Sequence, residues 1–497
     1  MKQDNSLLRS HYDKLFIDGK WVAPNAGEED VINPATEETV GSAPLGSAQD
    51  AEVAIAAARR TFDEGTWADE DRNVRADRMQ RLYDLVRARE EEAAGLMQLE
   101  MGFTRLNCEM QLGLLFTQLE RTIEAARKDP IKPLPLIISD RLGGGGRELG
   151  GAVVTRDPVG VVSAITPYNS GFLLGLIKGF PAMAAGNTVV LKPSPFTPLQ
   201  TMLIAEIVAE ADLPPGVFNV VTGGIDVGQM MSSDPRIDMV SFTGSDAVGA
   251  AVMAQSSPTL KKVQLELGGK SPIIVRHDAD MELAVTAALF GSMFQAGQGC
   301  SLTTRILVDN RIRPAFVEAL GAAAKQLKVG DPYDPTTFMG PLIREAAVAR
   351  SQSFCKQALE DGARLVVGGN RPAQLDKGFY FEVTIFDDVL NSSHLGQTEV
   401  FGPIAAVIGF DDDAEAIRFA NDSDYGLGGG IVSRDKATAF EMALKMRTGQ
   451  IQINGGPGGF HPDMPFGGYK RSGLGREWGE EGYHEFTEMK AIGFPAG

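Results

Sequence analysis

VGVVSAITPYNSGFLLGLIKGFPAMAAGNTVVLKPSP, residues 159–195, reads as strand, helix, strand. VGVVSAITP is the first strand, SGFLLGLIKGFPAMAAG the helix, and NTVVLKP the second strand. The alternation continues downstream. Thr197–Ala211 forms a helix, VFNVVTG a strand and DMVSFTGS another strand, before a helix that starts at Asp246. Strands and helices in this order predict a parallel, doubly wound α/β sheet with helices on both faces. Ligands of such sheets sit beyond the carboxyl ends of the strands. Those ends are ITPYN, KPSP, VTGG and FTGS, whose hydroxyls, backbone N–H groups and one lysine suit phosphate and ribose. No G-x-G-x-x-G follows the first strand, so the common dinucleotide fingerprint is absent.

Downstream, Lys261–Arg305 holds the residues with the most chemistry. KKVQLELGGKSP is an apolar run broken at Gly268–Gly269, which leaves Glu266 at a strand end. FQAGQGCSLTTR places Cys300 after Gly297 and Gly299. A thiolate is a strong nucleophile, and a carboxylate can take a proton from water. A lone Cys is more often a small buried hydrophobe. The glycine-flanked context favours the nucleophile. A second α/β region runs from about Leu265 to Phe466, with strand-like SPIIV, TRILV, FGPIAAVIGF and GLGGGIVS, and helices at Arg313–Leu327 and Arg344–Gly362.

Toward the N-terminus, LFIDGKWVAP reads as a hairpin turning at Asp18–Gly19, and DVINPATEETV as a further extended piece. Helical period then takes over. Ser47 caps SAQDAEVAIAAARRTF, one continuous pattern covers Asp71–Gly102, and a helix spans Arg105–Lys128 before DPIKPLP stops it. Ile131–Val154 is extended around a four-glycine run and reads either as a surface hairpin or as an arm onto a neighbouring subunit.

A chain of 497 residues exceeds a single core, so two or more domains are expected. Its 43% hydrophobic and 23% charged residues are ordinary for a globular protein. No apolar run is long enough for a membrane span, and the polar N-terminus does not read as a signal peptide. Three cysteines make no disulfide framework, and a cytoplasmic location fits best. A net charge of −18 argues against nucleic acid as a partner. Five scattered histidines, without metal-ligand spacing, give no metal site.

ITPYN, GNTVVLKPSP, FTGS, ELGGKSP, GQGC, EVFGP and PFGGYKRSGLGRE, in this order and at these separations, resemble the aldehyde dehydrogenase superfamily over nearly the whole chain. The resemblance implies that Cys300 attacks an aldehyde and that the Asn169 amide joins the Cys300 N–H around the oxyanion. Glu266 would activate water against the thioester, and Lys178 and Glu477 resemble a proton-relay pair. Relatives that pass the acyl group to coenzyme A generally lack the carboxylate at Glu266, so its presence favours the free acid. The alternatives are a CoA-acylating semialdehyde dehydrogenase and a non-catalytic scaffold that keeps the fold. The implied architecture is two doubly wound parallel-sheet domains, a Rossmann-like cofactor domain (1–132 and 152–263) and a catalytic domain (264–466). An oligomerisation arm and tail (133–151 and 467–497) would serve a homodimer or homotetramer.

For the cofactor, Lys192 resembles the lysine on the adenosine ribose, Ser245 a pyrophosphate contact, and Glu399 the carboxylate on the nicotinamide ribose, with Phe401 beside the ring. The implied site extends over Ile165, Thr166, Pro167, Tyr168, Ser194, Gly228, Phe242, Gly244, Val248, Leu267 and Gly268. Pro195 departs from the pattern, because many NAD-preferring relatives carry Glu there to repel a 2′-phosphate. NAD is expected, with NADP left open. The substrate wall would include Ser170, Phe172, Leu173, Leu174, Ile177, Ser301, Phe460, His461 and Phe466. Ser170, Gly171 and Ile177 stand where relatives have an aromatic, a proline and a tryptophan. That points to a wide apolar entrance for long, cyclic or aromatic aldehydes.

Overall fold

The computed structural model describes residues 8–140, 146–455 and 461–495. Two sheets and a separate β-arm organise them. The first sheet has the strand order Lys20–Val22, Leu15–Ile17, Phe218–Val220, Thr188–Lys192, Val161–Ile165, Met239–Thr243, Lys262–Glu266, Gly473–Leu474. Its five central strands are mutually parallel, and the edges are antiparallel. Side-chain alternation divides the strands between two cores. Val162, Ala164, Val189 and Leu191 join one buried cluster, while Val161, Ile165 and Val190 join the other. Strands covered on both faces carry the unbroken apolar runs seen in the sequence.

Chain order reverses between Val161–Ile165 and Met239–Thr243, since the chain steps outward from the first strand and then crosses to its other side. A crevice opens at such a switch point, here bordered by Thr166–Tyr168 and Thr243–Ser245. The second sheet runs Arg364–Val367, Thr384–Asp387, Ile404–Phe410, Arg305–Asp309, Pro272–Val275, Gly430–Val432, Gln452–Ile453. All its pairs are parallel except the first. In the arm, Arg147–Pro158 pairs antiparallel with Thr487–Pro495 on one side and with Lys132–Pro133 and Ile137–Asp140 on the other. The arm and tail therefore form one sheet, with Leu136, Ile137, Ile138 and Met489 exposed.

Several local expectations are met for local reasons. Asp18 and Gly19 both take φ above zero (55° and 70°), which a two-residue hairpin loop of this twist requires. Ser47 caps its helix reciprocally with Asp50. Two readings change. The run Asp71–Gly102 is two helices, Arg72–Ala88 and Glu90–Met101, broken at Arg89. That side chain is held by Glu92, Glu206 and Glu210. The strand Lys262–Glu266 belongs to the first sheet, so a boundary at Gln264 would cut through it. The turn Leu267–Ser271 is the actual passage between sheets.

Candidate functional site

A cavity of about 870 Å³ lies between the carboxyl end of the first sheet and the amino end of the second, with Asn169, Glu266 and Cys300 in its wall. Each arrives from a different element. Asn169 sits in the short turn Tyr168–Ser170 after a parallel strand. Glu266 is the last residue of its strand. Cys300 follows the helix Met281–Met293 through a tight turn in which Gln295 and Ala296 both have φ of 55°. Gly297 also has φ of +71°, and a Cβ there would stand 2.1 Å from the Gly402 carbonyl oxygen. Only glycine fits that approach.

The electrostatics are unusual for a nucleophile. Burial pushes the Cys300 thiol well above its ordinary value, and the Glu399, Glu266 and Glu477 carboxylates push the same way. At neutral pH the resting residue is a thiol, so it becomes nucleophilic only when positive charge enters the cavity or a base takes its proton. Glu266 is 1% exposed, and neither carboxylate oxygen has a hydrogen-bond partner within the protein. Burial first, then the Glu477 charge, raises its pKa well above the carboxylate range. Gly467 lets this carboxylate fit, since a Cβ there would lie 2.8 Å from Oε1. An unpartnered buried carboxyl is costly and needs a reason. A water held against it would satisfy it.

Behind Glu266, Lys178 donates to Glu477 Oε1 at 2.6 Å and to Ser241 Oγ at 3.0 Å. Both members of the ion pair are buried, unlike an ordinary surface contact. Asn169 Nδ2 donates to the Gln298 carbonyl at 2.9 Å, which ties it to the nucleophile turn. The amide carries a second hydrogen. Asn169 does not cap the following helix: the N-cap position is Ser170, and no side chain caps it. Arg305 is spent structurally. Its guanidinium donates to the carbonyls of Lys270, Phe419 and Ala420 and to Asn391.

At the cavity's other end stand Pro167, Tyr168, Gly244, Ser245, Leu267, Gly268, Glu399 and Phe401. Glu399 Oε1 accepts from the Gly269 N–H at 2.9 Å, and burial raises its pKa to about 7. A Cβ on Gly268 would fall 2.5 Å from Glu399 Oε2. The Phe401 ring meets Tyr168 edge-on at 5.8 Å. Lys192 is buried, its Nζ donating to the Pro193 carbonyl at 3.0 Å, with its pKa lowered to about 8 by desolvation. Gly228 leaves room beside it, a Cβ there standing 3.9 Å from the lysine Cδ and Cε. The Thr166 N–H donates to the Lys192 carbonyl, and Ser194 Oγ accepts from Phe196 N–H. Ile165 and Phe242 are core residues beneath this end, and Val248 is exposed on the helix above it.

Of the expected substrate wall, Ser170, Leu173, Leu174, Ser301 and Phe466 line the cavity. Phe172 and Ile177 do not: they point into the hydrophobic core with 0% and 5% exposure. Both pack into the core from the helix Gly171–Ala184, so they are corrected to core residues. His461 is also corrected. Its side chain is 73% exposed, beside Asp463, and the neighbouring Pro462 lines the cavity instead. Phe460 lies outside the described residues. The sequence reading missed Met110, Gln111 and Leu114, from the helix Arg105–Arg127, and Trp478. Among the described residues no cluster of possible metal ligands occurs, and no helix is long and apolar enough to cross a membrane.

Comparison with known proteins agrees with this geometry. A family model described as the aldehyde dehydrogenase family matches residues 21–492. Betaine aldehyde dehydrogenase of Bacillus subtilis is 38% identical over 485 residues, covering 96% of each chain. The crystal structure of betaine aldehyde dehydrogenase from Staphylococcus aureus in complex with NAD+ superposes with a TM-score of 0.94 at 37% identity, covering 99% of this chain and 96% of that one. A mutant of aldehyde dehydrogenase C from Pseudomonas syringae, complexed with NAD+ and octanal, gives a TM-score of 0.89 at 38% identity, covering 97% and 96%.

Proposed function

Because this chain belongs to the aldehyde dehydrogenase family, we propose that it oxidises a bulky apolar aldehyde, aromatic or long-chain, to the free acid through Cys300 and Glu266. The observation that carries this is the pair's setting. A half-buried thiol and a carboxylate with no protein partner share one cavity wall. Ionised Glu266 takes the Cys300 proton and passes it on before water attacks; Cys300 Sγ adds to the aldehyde carbon, and the Asn169 amide hydrogen left free by Gln298 donates to the oxyanion. One such donor is typically worth about 2.7–4 kcal/mol of barrier. After loss of hydride the acyl group remains on sulfur as a thioester. Glu266 then takes a proton from the attacking water, and the acid leaves with the thiol restored. The Glu477–Lys178 pair behind the base gives the proton an onward path.

The far end of the cavity fits a nicotinamide dinucleotide by its donor set. Ser245 at a helix N-cap and Glu399, both in the cavity wall, would take pyrophosphate and one ribose, and Lys192, which does not line the cavity, would take the other ribose. The bound nicotinamide supplies the hydride acceptor and a positive charge. NAD is the expected cofactor. Pro195 offers no carboxylate against a 2′-phosphate, so NADP is accepted too. The exposed apolar residues of the arm sheet support assembly into a homodimer or homotetramer.

Bulky apolar substrates are favoured by the wall of Leu114, Leu173, Leu174, Phe294, Phe466 and Trp478. Glu109, a carboxylate in the cavity wall, is paired with Arg105 at 2.9 Å, which weakens its attraction for a cationic aldehyde. Steady-state reduction of NAD and NADP should be measured side by side over aliphatic, aromatic and quaternary-ammonium aldehydes. Turnover is expected with both cofactors and highest with the bulky apolar aldehydes. Turnover confined to a quaternary-ammonium aldehyde would overturn the substrate assignment. Strict NAD dependence would overturn the reading of Pro195, and acyl-CoA formation would point to the acyl-transfer alternative.

A further inference from the structure

Trp478 has φ 66° and ψ 154°, a backbone region occupied almost only by glycine. A bulky aromatic residue held there is an outlier that the surrounding structure must enforce. Two clamps enforce it. On one side Glu477 exchanges backbone hydrogen bonds with Phe466 at 2.7 Å in both directions. On the other, the Gly479 N–H donates to Gln118 Oε1 at 3.1 Å, and the Gly482 N–H donates to the Trp478 carbonyl at 3.0 Å. Gln118 completes the frame by donating to the Pro462 carbonyl at 3.0 Å. The Trp478 ring lies over the Phe466 ring, with centroids 4.5 Å apart and planes tilted by 35°. Gln118, Pro462, Phe466 and Trp478 all line the cavity.

We propose that Trp478 is a specificity-determining residue: its ring and that of Phe466 form the wall that selects flat aromatic or extended apolar aldehydes, and the unfavourable backbone is kept to hold the ring there. This rests on the reading that the aldehyde enters this end of the cavity. Glycine at 478 relieves the backbone and deletes the wall together, whereas phenylalanine keeps an aromatic ring in the same backbone.

The test is the ratio of kcat/KM for benzaldehyde to that for propanal. In Trp478→Gly the ratio is expected to fall about 10- to 100-fold, the scale of lost apolar pocket contacts, while Tm stays level or rises. In Trp478→Phe most of the ratio should survive. An equal fall for both aldehydes would overturn the proposal, because the segment would then serve Glu477 rather than the substrate. An unchanged ratio would overturn it as well. A second measurement does not need turnover. Benzoate, of the product class, should quench the intrinsic fluorescence of the wild type and lose most of that quench in Trp478→Phe. An undiminished quench would place the ligand elsewhere. A wild type that oxidises no aldehyde yet shows the Trp478-dependent quench would defeat the functional reading and leave the wall intact.

Discussion

Cys300→Ala is expected to lose aldehyde oxidation by on the order of 10⁶-fold, the scale for deleting a covalent nucleophile, while binding NAD as tightly as the parent. No second thiol can replace it. Cys108 and Cys355 are both buried in hydrophobic cores, and neither lines the cavity. Alanine is smaller than cysteine and meets no new neighbour, so the turn is not disturbed. NADH formation and calorimetric NAD binding, measured on one preparation, separate the two effects. Residual turnover within about 100-fold of the parent would show that the thiol is not the attacking group.

Glu266→Gln should release one equivalent of NADH per active site in a burst and then slow by about 10²–10⁴-fold, the usual contribution of a general base. The swap keeps shape and removes the ionisable group. Since the buried carboxyl has no protein partner, stability should hold or improve. The pH dependence has a definite sign. A base acts only when ionised, and the pKa of Glu266 is raised well above the ordinary carboxylate value by burial and by Glu477. Steady-state turnover limited by deacylation therefore falls as pH drops through that raised value. The fall begins at a higher pH than an exposed glutamate would give. In Glu266→Gln this acidic limb should vanish. A variant with a normal rate after the first turnover would show that another group activates the water.

The parts that were legible in the sequence are those where one local constraint decides the structure. Val161–Ile165, Thr188–Lys192 and Met239–Thr243 announce themselves as buried parallel strands, and the residues just past the first and last of them border the cavity. The glycine-softened turns at Glu266 and Cys300 bring both residues into one cavity wall. Harder to see was which face of a helix meets a cavity and which meets a core. Leu173 and Leu174 line the cavity while Phe172 and Ile177, on the same helix, pack inward; all four are simply apolar to a periodicity argument. Met110, Gln111 and Leu114 reach the site only because the helix Arg105–Arg127 packs against Gly171–Ala184, a contact without local signature. Trp478 was hidden for another reason. Its backbone conformation is set by pairing with Phe466 and by Gln118, far away in the chain, and a tryptophan there gives no sign of it.

The buried ammonium of Lys178 finds its counter-ion 299 positions later in the chain. Translation at about 5–20 residues per second puts about 15–60 s between the making of the two. Through that interval the helix Gly171–Ala184 cannot settle fully into its packing, because an unpaired charge resists burial. The last strand of the first sheet, Gly473–Leu474, is missing for the same time. The stretch of cavity wall that Phe466, Glu477 and Trp478 supply is thus the last part of the site to be made.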